Sequence, residues 1–326
     1  MKRLLATTTA AALSLAMFAT GCGVAADETA ATVDGTDIST RTIGELAESS
    51  EILKNLQIAA TSRDGVVNAE AARAALGQVV QVRAIEAFVE RFGDGVTEAD
   101  RAAAEAISTG ATDEAFASLT TDYLAANNAL TRLSDSLADM APEEARSELF
   151  RWTHRSIGAT HCIEAALVDG AAAEQFGAAV GTDAPLADID AEAIEFTPLT
   201  DGEECHAEAV LTGFVTPIRN APIGSWYSEE ITVQGMTYTM FVKKGSEEAT
   251  SLDNPATVEL IDGIMSSGQT TQFLQFAAVS QARVAIDPRY GTWNVDLGAV
   301  DSPLRPTFPA ASASNEPSLE DLLGAA

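Results

Sequence analysis

The sequence predicts an α-rich α+β fold in which a helical domain is interrupted by a small mixed domain. Three observations predict it. Apolar residues recur at helical spacing up to about residue 152. The period then changes at Ala159–Val168, ATHCIEAALV, and again at Glu230–Lys243, EITVQGMTYTMFVK, both of which suit strands. Helical spacing returns after Asn254-Pro255, a cap followed by a first-turn proline. The helical domain is therefore discontinuous, 27–157 plus 252–300, around a mixed insert at 158–251.

Taken in order, the chain opens on an address. Lys2 and Arg3 precede an apolar run, Leu4 to Ala19, that is short for a membrane span. Ala19-Thr20-Gly21-Cys22 then resembles a bacterial lipobox, with Ala19 where most have Leu. Lipidation of Cys22 is the first expectation, and residues 1–22 would be the signal peptide. Cleavage after Ala26 is the rival, because Val24-Ala25-Ala26 fits a small-x-small peptidase site. Either cut leaves the mature protein extracytoplasmic.

Asp34-Gly35 between Val33 and Ile38 is a strong hairpin signal. Ser39 or Thr40 caps a helix carrying Ile43, Leu46, Ala47, Leu53 and Leu56. Ala69 to Phe92 forms a second helix stopped by Gly93, with Leu76, Val79, Val80, Phe88, Val89 and Phe92 inward. Thr97 with Asp100 opens a third in capping-box fashion. A fourth runs from Asp113 to Asp139 with Phe116, Leu119, Tyr123, Leu124, Leu130 and Leu133 inward. Pro142 begins a fifth that reaches about Trp152.

The insert starts with the strand at 159–168 and a short helix from Ala171 to Ala179 around Phe176. Thr182 to Gly202 is acidic, without periodicity, and reads as a loop poor in apolar anchors. Cys205 to Phe214 alternates weakly and suits strand or helix; Ile231 to Val242 is a hairpin turning at Gln234-Gly235. Beyond the insert come helices around Val258, Leu260, Ile261 and Ile264 and around Phe273, Leu274, Phe276 and Val279, then a short strand at Val284–Ile286. The last stretch, 301–326, is rich in Pro, Ala and Ser and reads as a disordered tail.

Composition narrows the function. At 326 residues the chain has ample length for a core, and 46% apolar content is that of a globular protein. A net charge of −29 excludes nucleic acid as a partner, since phosphates demand Lys and Arg. It also repels anionic lipid headgroups, so attachment to a membrane must come through a lipid or a signal. Acidity of this size keeps a protein soluble and monomeric.

Two sets of residues resemble known families. His161, Ile163 and the apolar Ala166, Leu167, Val168 are similar to the first strand of a parvulin-type peptidyl-prolyl isomerase, a His-Ile-Leu-Val pattern. Gly235-Met236-Thr237 stands where that family's last strand has Gly-Tyr-His, and Leu211 to Phe214 stands nearest to its Gly-Gly-x-Leu-Gly. Val33 to Ile38, the GVTEAD segment at 95–100 and the phrase ARVAIDPRYGTWN at 282–294 resemble SurA-like periplasmic chaperones, in particular actinobacterial lipoproteins of that type. The resemblance implies a helical chaperone domain with a degenerate parvulin-like insert, and it implies that strand 284–286 returns to pair near 31–38.

The resemblance also implies a function: an extracytoplasmic lipoprotein chaperone for unfolded or newly exported polypeptides, with little or no isomerase activity. A working isomerase is the alternative, and a binding or scaffolding lipoprotein a third class. An isomerase lowers a rotation barrier of about 20 kcal/mol by binding the twisted amide, without covalent chemistry. Parvulins use two facing histidines; His161 matches the first, but the second falls on Thr237, which lacks the imidazole.

Other chemistry is thin. His161, Cys162, Cys205 and His206 carry the residue types of a zinc site. Adjacent strand residues point to opposite faces, so His161 and Cys162 do not readily share one ion. With Cys22 lipidated, Cys162 and Cys205 are the two cysteines left, and an oxidising compartment favours a disulfide. No cofactor motif is present. Trp152, Trp226, Tyr227, Phe273 and Phe276 are the candidates for an apolar cradle that receives client chains; core packing is the competing role for each.

Overall fold

The computed structural model describes residues 28–55, 67–108, 113–181, 183–190, 194–211, 214–233, 235–295 and 297–303. Cys22, Leu56, Thr212, Gly213 and the tail from 304 lie outside them.

The expected hairpin forms between β1 (Thr29–Val33) and β2 (Thr36–Ser39). Its turn places Asp34 at φ 48° and Gly35 at φ 92°, the two left-handed residues that a two-residue hairpin needs to follow strand twist. Arg283 and Arg91 hold the Asp34 carboxylate at 3.1 and 3.5 Å. Ser39 caps α1 (Thr40–Ala47) by accepting the Thr42 N–H. The helix expected to run on to Leu56 instead breaks at Glu48 and restarts as α2 (Ser50–Asn55).

α3 (Ala69–Phe92) spans the helical body. Leu76, Val79 and Val80 pack into a cluster with α1 and the first hairpin, while Ile85, Phe88 and Val89 pack into a second cluster one end further on. One continuous helix therefore ties two cores together. α4 (Glu98–Ile107) has both arms of the capping box between Thr97 and Asp100, and Arg132 reaches the same carboxylate at 2.8 Å. α5 (Glu114–Asp135) ends earlier than expected and tightens into a 3-10 turn to Asp139. Its buried stripe is Ala125, Ala126, Ala129, Leu130 and Leu133; Tyr123 faces outward, so small residues, not the aromatic, let the neighbouring helices close in. α6 (Pro142–Ile157) runs five residues past Trp152 and stops at Gly158.

The insert is built on a sheet. β3 (Thr160–Asp169) pairs antiparallel with β7 (Met236–Glu248) along its whole length, and β7 pairs with β6 (Trp226–Val233). The other edge of β3 is shared by β4 (Thr197–Pro198) and β5 (Glu204–Ala207). β3 is buried almost throughout because both of its faces are covered. Ala166 and Val168 pack with Phe241 on α7 (Ala173–Val180) through Phe176, whereas Ile163 and Ala165 pack with Met240 and Val242 on α8 (Val215–Asn220) through Ile218.

The acidic stretch 182–202 differs from the loop expected. Leu186 and Ile194 are buried and Ile189 and Phe196 partly so, all packed around Phe176. Four apolar anchors, too irregularly spaced to show a period, hold it to the sheet.

α9 (Pro255–Ser267) and α10 (Thr270–Gln281) return to the helical body, where Ile261, Ile264 and Leu274 complete its core. β8 (Val284–Ile286) then pairs with β1, with Ala31 opposite Ile286 and Val33 opposite Val284. The first strand and a strand that follows the last helix thus share a sheet, as the resemblance implied. A hairpin absent from the sequence reading follows, β9 (Thr292–Asn294) and β10 (Ala299–Asp301). It lies on α3, where Gln81 donates to the Gly298 carbonyl at 2.6 Å. Asp301, assigned to the tail by composition, is its last residue. The fold class is α+β.

Candidate functional site

The site worth building lies where the sheet meets the helical body. α6 ends at Gly158, whose φ of 72° and ψ of −167° fall in a region essentially confined to glycine. The chain turns there directly into β3. A Cβ on Gly158 would stand 2.7 Å from the Cβ of Glu208, so this joint and the 3-10 turn Glu208–Val210 are packed backbone to side chain. The Ala159 N–H donates to the Glu208 carboxylate at 3.3 Å.

Above this joint opens a cleft of about 590 Å³. Arg155 and Ser156 of α6 form one wall, Glu208, Val215 and Arg219 a second, Phe276 and Ser280 of α10 a third. Val295 and Leu297, from the turn of the β9–β10 hairpin, form the outer lip. Phe276 is 36% exposed, Val295 41% and Leu297 70%, so three large apolar side chains meet water around one cavity. Such a grouping differs from scattered surface apolars because the three side chains line the same cavity. Arg219 pairs with Glu208. Arg155 is exposed and, among the described residues, no ion pair engages it, on a chain whose net charge is −29.

Behind the floor of the cleft sits His161. Its ring is 1% exposed, with Nε2 3.8 Å from Glu208 and Nδ1 3.7 Å from Glu247. Among the described residues neither nitrogen has a hydrogen-bond partner. Burial lowers the imidazole's pKa below its ordinary value, against the upward pull of the Glu247 and Glu208 carboxylates. Lys244, itself buried, bonds Glu247 at 2.7 Å and holds that carboxyl below its usual range. The result is a row of groups, Arg219–Glu208–His161–Glu247–Lys244, with the buried imidazole at its centre.

This placement removes His161 from contact with anything held in the cleft. The position matched to the second catalytic histidine is no closer. Thr237 lies opposite Thr232 at the hairpin end of β7, and the residue paired with His161 on that strand is Glu247. Ten residues of extended chain, about 33 Å, separate them. The two positions do not form one active centre.

Cys162 and Cys205 face each other across β3 and β5 and are joined, with Cα atoms 3.8 Å apart. Among the described residues no group of three or more His, Cys, Asp or Glu side chains could hold a metal ion. His206, a member of the zinc set considered above, turns instead to Glu204 at 3.0 Å.

The aromatic candidates divide. Trp152 is buried in the helical core. Trp226 packs edge-on to Phe176 and donates its indole N–H to the Ala184 carbonyl at 2.7 Å. Tyr227 lies on the α8 face of the sheet and bonds Glu229 at 3.1 Å. Phe273 packs against the helical core beside Phe276. Of the five, Phe276 alone lines the cleft. Helical spacing put Phe273 and Phe276 on one element but could not say which would be covered. Arg155, Glu208, Arg219, Val295 and Leu297 escaped the sequence reading because they come from four separate segments; the one local hint is Val295 and Leu297, two apolar residues in a polar turn.

No family model matches this chain, and neither does any curated protein. Among solved structures, it is similar to a chain from a pair described as two structurally related SurA-like chaperones of Campylobacter jejuni, the virulence factor PEB4 and the periplasmic protein Cj1289. The identity is 13% and the TM-score 0.24, over 80% of this chain and 99% of that one. A likeness at that level carries no argument about function. Among the described residues no helix is long and apolar enough to cross a membrane.

Proposed function

We propose that the chain is a chaperone-type binding protein that holds exposed apolar segments of unfolded or newly exported polypeptides in the cleft between its helical body and its sheet. The observation that carries this is the grouping of Phe276, Val295 and Leu297 around one cavity. Covering apolar area is favourable by roughly 25 cal/mol per Å², and a client segment is the covering partner of the right chemistry. Binding of this kind needs no cofactor and tolerates varied sequences, because no buried polar group must be matched one to one.

In this reading the protein works outside the cytoplasm, carried by a lipid on Cys22 and acting as a monomer. The sheet domain, 158–251, serves as a wall of the cleft through Glu208, Val215 and Arg219, and prolyl isomerisation is not its task. Mass spectrometry of the mature protein should find a diacylglyceryl Cys22 at the N-terminus. An unlipidated chain starting at Asp27 would remove the anchor from the account.

The functional test is suppression of aggregation of a chemically unfolded client at near-stoichiometric amounts. Wild type should protect. Phe276→Asp combined with Leu297→Asp should lose most of that protection, with circular dichroism and a thermal melt checking that the variant is folded at the assay temperature. Equal protection by the double variant would refute the cleft as the binding surface.

A further inference from the structure

The cleft has a second candidate occupant in the chain itself. We propose that it is the seat of the protein's own segment 316–323, Glu-Pro-Ser-Leu-Glu-Asp-Leu-Leu, which competes with clients for the same apolar surface. The proposal rests on the reading of the cleft given above and adds an occupant held in cis.

Three observations converge. The first is chemical. The cleft offers Phe276, Val295 and Leu297 beside Arg155, while its Arg219 is already paired with Glu208. The segment offers Leu319, Leu322 and Leu323 beside Glu316, Glu320 and Asp321. Apolar groups flanked by carboxylates meet apolar groups beside a guanidinium, and Arg155, which no ion pair engages among the described residues, gains one. In a chain of net charge −29, that is a specific match rather than a general attraction.

The second is spacing. Leu319, Leu322 and Leu323 stand at i, i+3 and i+4, one face of a helical turn. Ser318 precedes them with Asp321 three residues on, the pattern that caps a helix N-terminus, and Gly324 follows where a C-terminal stop belongs. A short amphipathic turn laid into an apolar groove is an established mode of recognition.

The third is reach. The outer lip of the cleft, Leu297, is six residues before Pro303, hence within about 20 Å of it along the chain. Residues 304–318, fifteen in number, span at most about 50 Å. The linker can therefore bring the segment back over the lip. A linker of that length supplies an effective concentration on the order of millimolar. Binding as weak as about 100 µM in trans would then leave the cleft roughly ten-fold more occupied than empty.

The test uses a fluorescent peptide of residues 314–326 as probe, read by anisotropy against the full mature chain. Wild type should bind it weakly, because its own segment competes. Leu319→Asp with Leu322→Asp and Leu323→Asp, in the full chain, should bind it five- to ten-fold more tightly. Adding Arg155→Glu to that triple variant, a change at an exposed position, should weaken the probe again by several-fold. Equal affinity of wild type and triple variant, or no effect of Arg155→Glu, overturns the inference. If the probe binds none of these proteins while wild type still suppresses client aggregation, the inference falls and the proposed function stands. If neither probe nor client binds, both fall together.

Discussion

Removing the Cys162–Cys205 bond perturbs one ladder of the sheet and leaves the core side chains in place. The bond closes a span of 43 residues, and the chain-entropy model gives about 4 kcal/mol for a loop of that length. Two features of the fold reduce that figure. β4 already pairs with β3 inside the loop, and Leu186 and Ile194 are buried against Phe176. The loop is thus partly held without the bond, and a loss of about 2–3 kcal/mol is expected, a substantial part of a typical domain's 5–15 kcal/mol. The assay is urea unfolding of oxidised protein against the Cys162→Ala, Cys205→Ala double variant, followed by tryptophan fluorescence. A difference under about 0.5 kcal/mol would refute the reasoning, and so would two free thiols in oxidised, natively exported protein. Because β5 leads straight into Glu208 and the cleft wall, the variant should also lose client protection before it loses its fold.

Three further outcomes follow from the same geometry. The pKa of His161 is lowered in the fold, so below about pH 6.5 the unfolded chain takes up a proton that the native one resists; stability should fall on acidification at up to about 1.4 kcal/mol per pH unit until the folded pKa is reached. In His161→Gln that segment of the pH–stability curve should flatten, and an unchanged slope would contradict the assignment. Gly158→Ala should cost about 1–3 kcal/mol from backbone strain alone, with a further loss because the new methyl displaces Glu208; chemical denaturation would show it, and a change below about 0.5 kcal/mol would speak against the tight joint. Isomerisation of a proline tetrapeptide should stay near background in wild type, since His161 is buried and Thr237 lies at the far end of β7; a robust rate lost in His161→Ala would show the opposite.

Much of the fold was legible because its signals are local. Asp34-Gly35, the Thr97/Asp100 box, Gly93 after α3 and Asn254-Pro255 before α9 each act within a few residues, and each fell where expected. The break at Glu48 was not legible, since Ile43 to Leu53 keep helical spacing across it. Nor was the role of 182–202, whose four anchors obey no period and are chosen by the shape of the surface around Phe176. The site was the least legible part. Burial decides whether Trp152 or Phe276 lines the cleft, and burial is a property of the assembled fold. The pairing of Arg155 with Leu297 around one cavity joins residues 142 apart in sequence, a distance over which no local pattern extends.

The central claim, that this cleft receives unfolded chain, is tested most directly by placing a photo-crosslinking residue at Leu297 and, as control, at Ile107, an equally exposed apolar position at the end of α4. Both proteins are irradiated with a chemically unfolded client. The account predicts a crosslinked client band from position 297 that excess unlabelled client competes away, and little or none from position 107. Equal crosslinking from the two positions, or from 107 alone, would contradict it.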